Sequence, residues 1–171
     1  MIRPVVTRPN PLLRQQAVLV QPDEIPTLGQ LLQDMFDTLQ AYGGVGLAAC
    51  QIGSDKNVFV ARVEGQDHVF INPVVLNASD ETETQPEGCL SLPGMVVKVP
   101  RSTQIKAMYR DATGAQQVND FANGWARIFL HEFDHLQGIM IDDRLGPVAR
   151  MMAKKKAAKQ AKQRARSSVS S

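Results

Sequence analysis

A chain of 171 residues with 43% hydrophobic content can bury one substantial core, so a single globular unit is expected. The formal net charge of +2 conceals an uneven distribution: residues 1–149 carry 11 basic and 17 acidic side chains, whereas residues 150–171 carry eight basic and no acidic ones. No apolar run reaches membrane-spanning length, and the start shows neither a signal-peptide apolar stretch nor an Arg/Ser-rich transit bias. With only two cysteines, this argues against membrane-spanning and disulfide-stapled secreted classes and for a cytoplasmic protein of bacterial type.

In chain order, Thr27 and Gln30 have capping-box spacing, and Leu28, Leu31, Leu32, Met35, Phe36 and Leu39 then recur at helical intervals up to Gly43-Gly44, which predicts an N-terminal helix. The glycine-rich run Gly44-Val45-Gly46-Leu47-Ala48-Ala49-Cys50-Gln51 follows. It lacks the Lys-Ser/Thr ending of a phosphate loop and the spacing of a dinucleotide fold. Its small residues let another backbone approach closely, and the Gln51 carboxamide can donate to an oxyanion. Segments 57–63, 68–76, 95–100 and 104–109 read as strands, punctuated by Glu64-Gly65-Gln66-Asp67 and Asp111-Ala112-Thr113-Gly114. Asn123 as N-cap and Gly138 as a stop bound a helix of about four turns. The predicted class is α+β: mainly antiparallel strands around that central helix, with the N-terminal helix and a basic C-terminal helix. Residues 1–149 are expected to form the catalytic domain and 150–171 a basic tail. Within the tail, 151–166 is rich in Ala, Lys, Gln, Arg and Met and predicts helix, while 167–171 is expected to be disordered.

The predicted central helix carries His131-Glu132-Phe133-Asp134-His135. Histidines four apart project from one helical face, so both imidazoles can reach one metal ion, and the adjacent glutamate can act on a water polarised by it. Trp125, Ile128, Phe129, Phe133 and Leu136 form an apolar stripe with Glu132 inside it, which aims the carboxylate at the core. Such burial is costly without a compensating charge, and a metal supplies one. A catalytic site of this kind needs a third protein ligand. The position ten residues after His131 is Ile141, which fails the metzincin pattern, and no glutamate follows Glu132, which fails the thermolysin pattern. Asp142, Asp143 and His68 remain candidates, and Cys89 in Glu87-Gly88-Cys89-Leu90-Ser91 is the best one upstream, because a thiolate suits zinc or ferrous iron.

The three segments, in this order, resemble the peptide deformylase family, whose pattern G-x-G-x-A-A-x-Q, E-G-C-x-S, H-E-x-x-H is met at every specified position. Similarity extends from Pro9-Asn10-Pro11-Leu12-Leu13-Arg14 through Ile71-Asn72-Pro73 and Val99-Pro100-Arg101 to about Pro147. The resemblance implies that Cys89, His131 and His135 hold the metal and that Glu132 is the general acid/base. It further implies that Gln51 and the Leu90 N–H bind the oxyanion, with Gly46 beside the substrate. The chain departs from the family at Leu130, Cys50 and Asn10, where glutamine, proline or threonine, and aspartate are usual.

The expected function is removal of the N-formyl group from formyl-methionine of new polypeptides, releasing formate, with Val45, Leu90 and Ile128 lining the methionine pocket. One divalent ion is expected, Fe2+ in the cell, with Zn2+ or another as purified. A monomer is expected, with no membrane partner and with the tail docking on ribosomal RNA. The rival readings are an aspartate-type zinc endopeptidase using Asp142, and a catalytically silent ribosome- or RNA-binding protein.

Overall fold

A computed structural model describes residues 1–167, with the side chains described up to 163. Helix α1 (Gly29–Tyr42) precedes strands β1 (Gly46–Ala48), β2 (Val58–Val63), β3 (Gln66–Ala78), β4 (Thr82–Gly88), β5 (Val96–Ser102), β6 (Gln104–Arg110) and β7 (Gln116–Ala122). Helices α2 (Asn123–Leu136) and α3 (Pro147–Ser167) complete the order. All strand pairings within the two sheets are antiparallel: one five-stranded sheet runs β1-β2-β3-β6-β7, and β4 with β5 forms a separate hairpin.

The five-stranded sheet is buried on both faces where β1, β2 and β3 meet, and strand alternation sorts its side chains. Leu47, Val58, Val60 and Ile71 join Leu28, Met35 and Leu39 of the α1 side in one cluster. Their neighbours Ala48, Phe59, Ala61 and Phe70 join Phe129 and Leu136 of α2 in the other. Phe59, Phe70 and Phe129 form its aromatic centre, with ring centroids 4.5, 5.1 and 5.3 Å apart. The second cluster also takes in Val97 and Val99 of β5, so the hairpin packs on the same helix.

Several local expectations are corrected. The Thr27–Gln30 capping box is absent: Thr27 donates its hydroxyl to the Glu24 carbonyl within a 3₁₀ turn over Ile25–Leu28, and Gln30 donates to Asp34. Asn123 is the first residue of α2, at φ 53, without a side-chain cap; Gly138, at φ +71, follows the helix and lies so close to the Arg14 carbonyl that no side chain fits. Strands β1, β4 and β7 were not anticipated. β4 and β7 are exposed, polar edge strands, and β4 contains Pro86, whose missing N–H is tolerated at an edge. Ser167 is the last residue of α3 rather than disordered, and the same expectation for Ser168 to Ser171 lies outside the described residues.

Candidate metal centre and active site

Two elements distant in sequence build the site. α2 presents His131 and His135 from one face, ring centroids 5.1 Å apart. The hairpin delivers Cys89 directly after β4, with its sulfur 3.2 Å from His135 Nε2. The Sγ of Cys89 and one nitrogen of each histidine all lie within 4.8 Å of one another. Placement separates the candidates for a third ligand. Asp142 accepts a two-pronged ion pair from Arg8 at 2.5 and 2.6 Å, Asp143 pairs with Arg14, and His68 packs edge-on against Trp125 at 4.9 Å. None of these joins the cluster among the described residues.

Glu132 is buried between the histidines and β1, and its Oε2 has no hydrogen-bond partner. Gly46 is what makes room for it: a Cβ there would sit 2.5 Å from Glu132 Oε1 and 2.8 Å from its Cγ. The glycine is therefore required by a side chain of the same chain. Gln51 sits in a 3₁₀ turn (Ala49–Ile52); its Oε1 accepts from the Ala48 N–H at 2.8 Å, which turns Nε2 toward Ser91 Oγ (3.2 Å) and Cys89 Sγ (3.7 Å). The N-terminal segment ties both loops down, Val6 N–H donating to the Gln51 carbonyl and Arg8 N–H to that of Ser91. Gln51, Cys89, Leu90, His131 and Glu132 open onto a cleft of ≈ 760 Å³, which Val45, Gly46 and Ile128 also line.

Sequence reasoning gave no role to the residues that hold these pieces in register. Val97, Val99 and Arg101 alternate inward along β5. Arg101 donates through Nε and Nη2 to both oxygens of Glu87 (3.0 and 2.9 Å), and through Nη1 to Asp134 of α2 (2.6 Å) and the Leu130 carbonyl (3.3 Å). Arg127 adds a second donor to Glu87, and Arg144 one to Asp134. Arg101 and Glu87, with side chains 3% and 5% exposed, thus bolt the cysteine-bearing hairpin to the histidine-bearing helix. His131 Nδ1–H donates to Glu87 at 3.0 Å, which leaves its Nε2 for a cation. The only sequence signal for this was the shared stretch Glu87-Gly88-Cys89, together with an arginine at an inward strand position.

With the protein's own charges the site is short of positive charge. Burial opposes a proton on His131, yet its bonds to Cys89 and Glu87 and the adjacent Glu132 raise it to about 10. Burial pushes the Glu132 carboxyl up to about 7 despite His131, and burial with the His131 and Arg101 charges holds His135 well below its ordinary value. Burial raises Glu87, but His131 and Arg101 outweigh it and hold it at about 2. A divalent cation among a thiolate and two imidazoles supplies the missing charge, so the donor set and its surroundings fit a metal. The departures at Cys50 and Leu130 leave this set intact. The Cys50 thiol is buried, pushed up to about 12 chiefly by that burial, and donates to the His135 carbonyl at 3.7 Å, while Leu130 packs on the core. Asn10 caps a 3₁₀ turn through the Leu12 N–H.

Residues 2–151 match the family profile of polypeptide deformylase. The chain belongs to that family. A peptide deformylase of Thermotoga petrophila is 40% identical over 148 residues, covering 86% of this chain and 89% of that protein. One of Stenotrophomonas maltophilia is 38% identical over 164 residues, covering 93% and 96%. The crystal structure of a peptide deformylase from Legionella pneumophila superimposes with a TM-score of 0.88 at 34% identity, covering 97% and 99%. The family is one of metal-dependent enzymes, which agrees with the Cys89, His131, His135 cluster.

Proposed function

We propose that this chain removes the formyl group from N-terminal formyl-methionine of newly made polypeptides, releasing formate and a free amino terminus. The observation that carries the reading is the convergence of one thiol and two imidazoles beside a buried carboxylate whose oxygen has no partner among the described residues, at a cleft that Cys89, His131 and Glu132 line. Cys89, His131 and His135 would hold one divalent ion, Fe2+ in the cell and Zn2+ as an alternative occupant. When bound, that ion supplies a Lewis acid that polarises the formyl carbonyl and acidifies a water. Glu132, poised near neutrality by burial, takes the proton of the attacking water and returns it to the leaving amine as the C–N bond breaks. Gln51 Nε2 and the Leu90 N–H donate to the oxygen on which negative charge develops. Val45, Leu90 and Ile128 offer the methionine side chain an apolar wall, and the Gly46 backbone lies beside it.

In this reading residues 1–149 are the catalytic unit, organised around α2, and 150–171 are the basic tail, the boundary falling inside α3. Lys154, Lys155, Lys156, Lys159 and Lys162 are exposed along that helix, Lys154 also reaching Asp142, and a basic run on an acidic body suits ribosomal RNA where formylated chains emerge. No described helix is long and apolar enough to cross a membrane. A monomeric cytoplasmic enzyme is the reading we adopt.

The test offers the metal-loaded protein a formyl-methionyl tripeptide and its acetylated analogue. Formate from the first and no cleavage of the second is expected; cleavage of internal peptide bonds, or no reaction, overturns the reading. Alanine at Cys89, His131 or His135 should each abolish stoichiometric metal binding.

A further inference from the structure

α3 stays with the body beyond its first turn. Arg150 pairs with the buried Asp142 at 3.3 Å and with Asp143, and Lys154 reaches Asp142 at 3.9 Å. Between residues 151 and 163 only Ala153, Ala157 and Gln160 are half-buried, and their spacing defines one helical face. Ala153 and Ala157 pack against the core cluster that contains Leu92 and Met95. Those two residues belong to the loop that lines the cleft with Pro93, Gly94 and Val96. At Gly94, whose φ is +78, a side chain would come within 3.7 Å of the Gln160 carboxamide oxygen. The Gln160 side chain of α3 thus comes up to the Gly94 turn of the loop that borders the cleft.

The anchoring of that loop is uneven. Leu92 and Met95 are buried and joined by a turn in which the Met95 N–H donates to the Leu92 carbonyl at 3.0 Å. Gly94 lies inside this turn with no side chain of its own, in a left-handed conformation that glycine adopts freely. Site groups are held from elsewhere: the Gln51 backbone and that of Ser91, two residues from Cys89, by the N-terminal segment, and His131 through Glu87 by Arg101.

We propose that Gln160 is a positioning residue for this reaction. From α3 it backs the Gly94 turn and so shapes the subsite that residues 92–96 offer to the peptide beyond formyl-methionine. The inference rests on the deformylase reading and adds to it a link between the basic helix and peptide selection. Because it acts on the rim, loss of Gln160 should weaken binding of longer substrates while leaving the chemical step alone.

The full-length, metal-loaded enzyme is compared with Gln160→Ala, Gln160→Met, Ala157→Glu and, at the exposed Ala158, the outward control Ala158→Ser. The substrates are formyl-methionine amide and a formyl-methionyl tetrapeptide. Gln160→Ala should raise KM for the tetrapeptide by roughly three- to tenfold, the size of modest through-structure coupling, with kcat and the short substrate unchanged. Gln160→Met, of the same length, should restore KM, Ala157→Glu should reproduce the loss by lifting α3, and Ala158→Ser should match wild type. Wild-type KM in Gln160→Ala, or an equal loss on both substrates, overturns the proposal. Failure of the wild type to release formate takes down both this inference and the reading beneath it.

Discussion

Gly46→Ala tests the fit between β1 and the buried Glu132 carboxylate, the proposed general base, with the addition of a single methyl group. The added Cβ would meet Glu132 Oε1 at 2.5 Å, Cγ at 2.8 Å and Cδ at 2.9 Å. Ordinary contact between such atoms needs about 3.5 Å, so the carboxylate must retreat by about 1 Å. It has little freedom to do so, because Glu132 is only 4% exposed and the neighbouring Ala48 and Phe129 are fully buried. Displacements of that size cost on the order of 10²-fold in rate when the group must meet its proton within hydrogen-bond reach. Overpacking should also lower stability, by about 1–3 kcal/mol. The expected result is a fall of about 10² in kcat for formate release from a formyl-methionyl tripeptide, with KM and metal content close to wild type. Wild-type kcat in a folded, metal-loaded Gly46→Ala protein would show that Glu132 need not occupy its present position.

Glu132→Gln should keep fold and metal yet lose most turnover, since the carboxamide matches the shape and cannot take the proton; near-normal kcat would remove Glu132 from the proton transfer. Gln51→Ala should lower kcat by about 10²–10³ with a smaller change in KM, the cost of one oxyanion donor, and an effect on KM alone would make Gln51 a ground-state contact. Arg101→Ala takes the shared guanidinium from the buried Glu87 and Asp134, which keep only Arg127, His131 and Arg144 as partners, and should cost about 3 kcal/mol in urea unfolding; a loss near zero would mean that the hairpin docks without its Arg101 ion pairs. Burial raises Asp142, but Arg8 and Arg150 outweigh it and hold it at about 2. A lowered carboxyl stabilises the fold above its ordinary value of 3.8, and that contribution fades as pH falls through about 2. Asp142→Asn should therefore retain its metal and be less stable than wild type at neutral pH, with the gap closing toward pH 2; a gap independent of pH refutes the ion-pair account.

Local pattern sufficed for α1 and α2, because each has an apolar stripe of helical period and a glycine in left-handed conformation after it, Gly43 at φ +66 and Gly138 at φ +71. It sufficed for β2, whose four buried residues face two different helices and so read as one apolar run. It failed for β4 and β7, whose side chains are mostly exposed and polar, so their strand character comes from the partner's backbone rather than from their own composition. Thr27 misled for a related reason: its hydroxyl found the Glu24 carbonyl of the preceding turn before it could serve α1.

The division at the site follows the same logic. His131, Glu132 and His135 sit on one helix, where spacing alone puts them on one face, so the sequence by itself determined that two imidazoles and the carboxylate between them come together. Helix spacing could not name the third donor: Cys89, Asp142, Asp143 and His68 all carry suitable atoms, and the expectation of Cys89 came from the family pattern, while tertiary contact is what separates the four in space. The structure brings Cys89 beside both histidines through the β4–β5 hairpin packed on α2, and it occupies Asp142, Asp143 and His68 with Arg8, Arg14 and Trp125. The same docking turns Glu87 and Arg101 into the brace of the centre. A ligand on the same helix is fixed by local backbone geometry, whereas one contributed across the fold depends on how long-range packing and buried charge pairs bring two elements together.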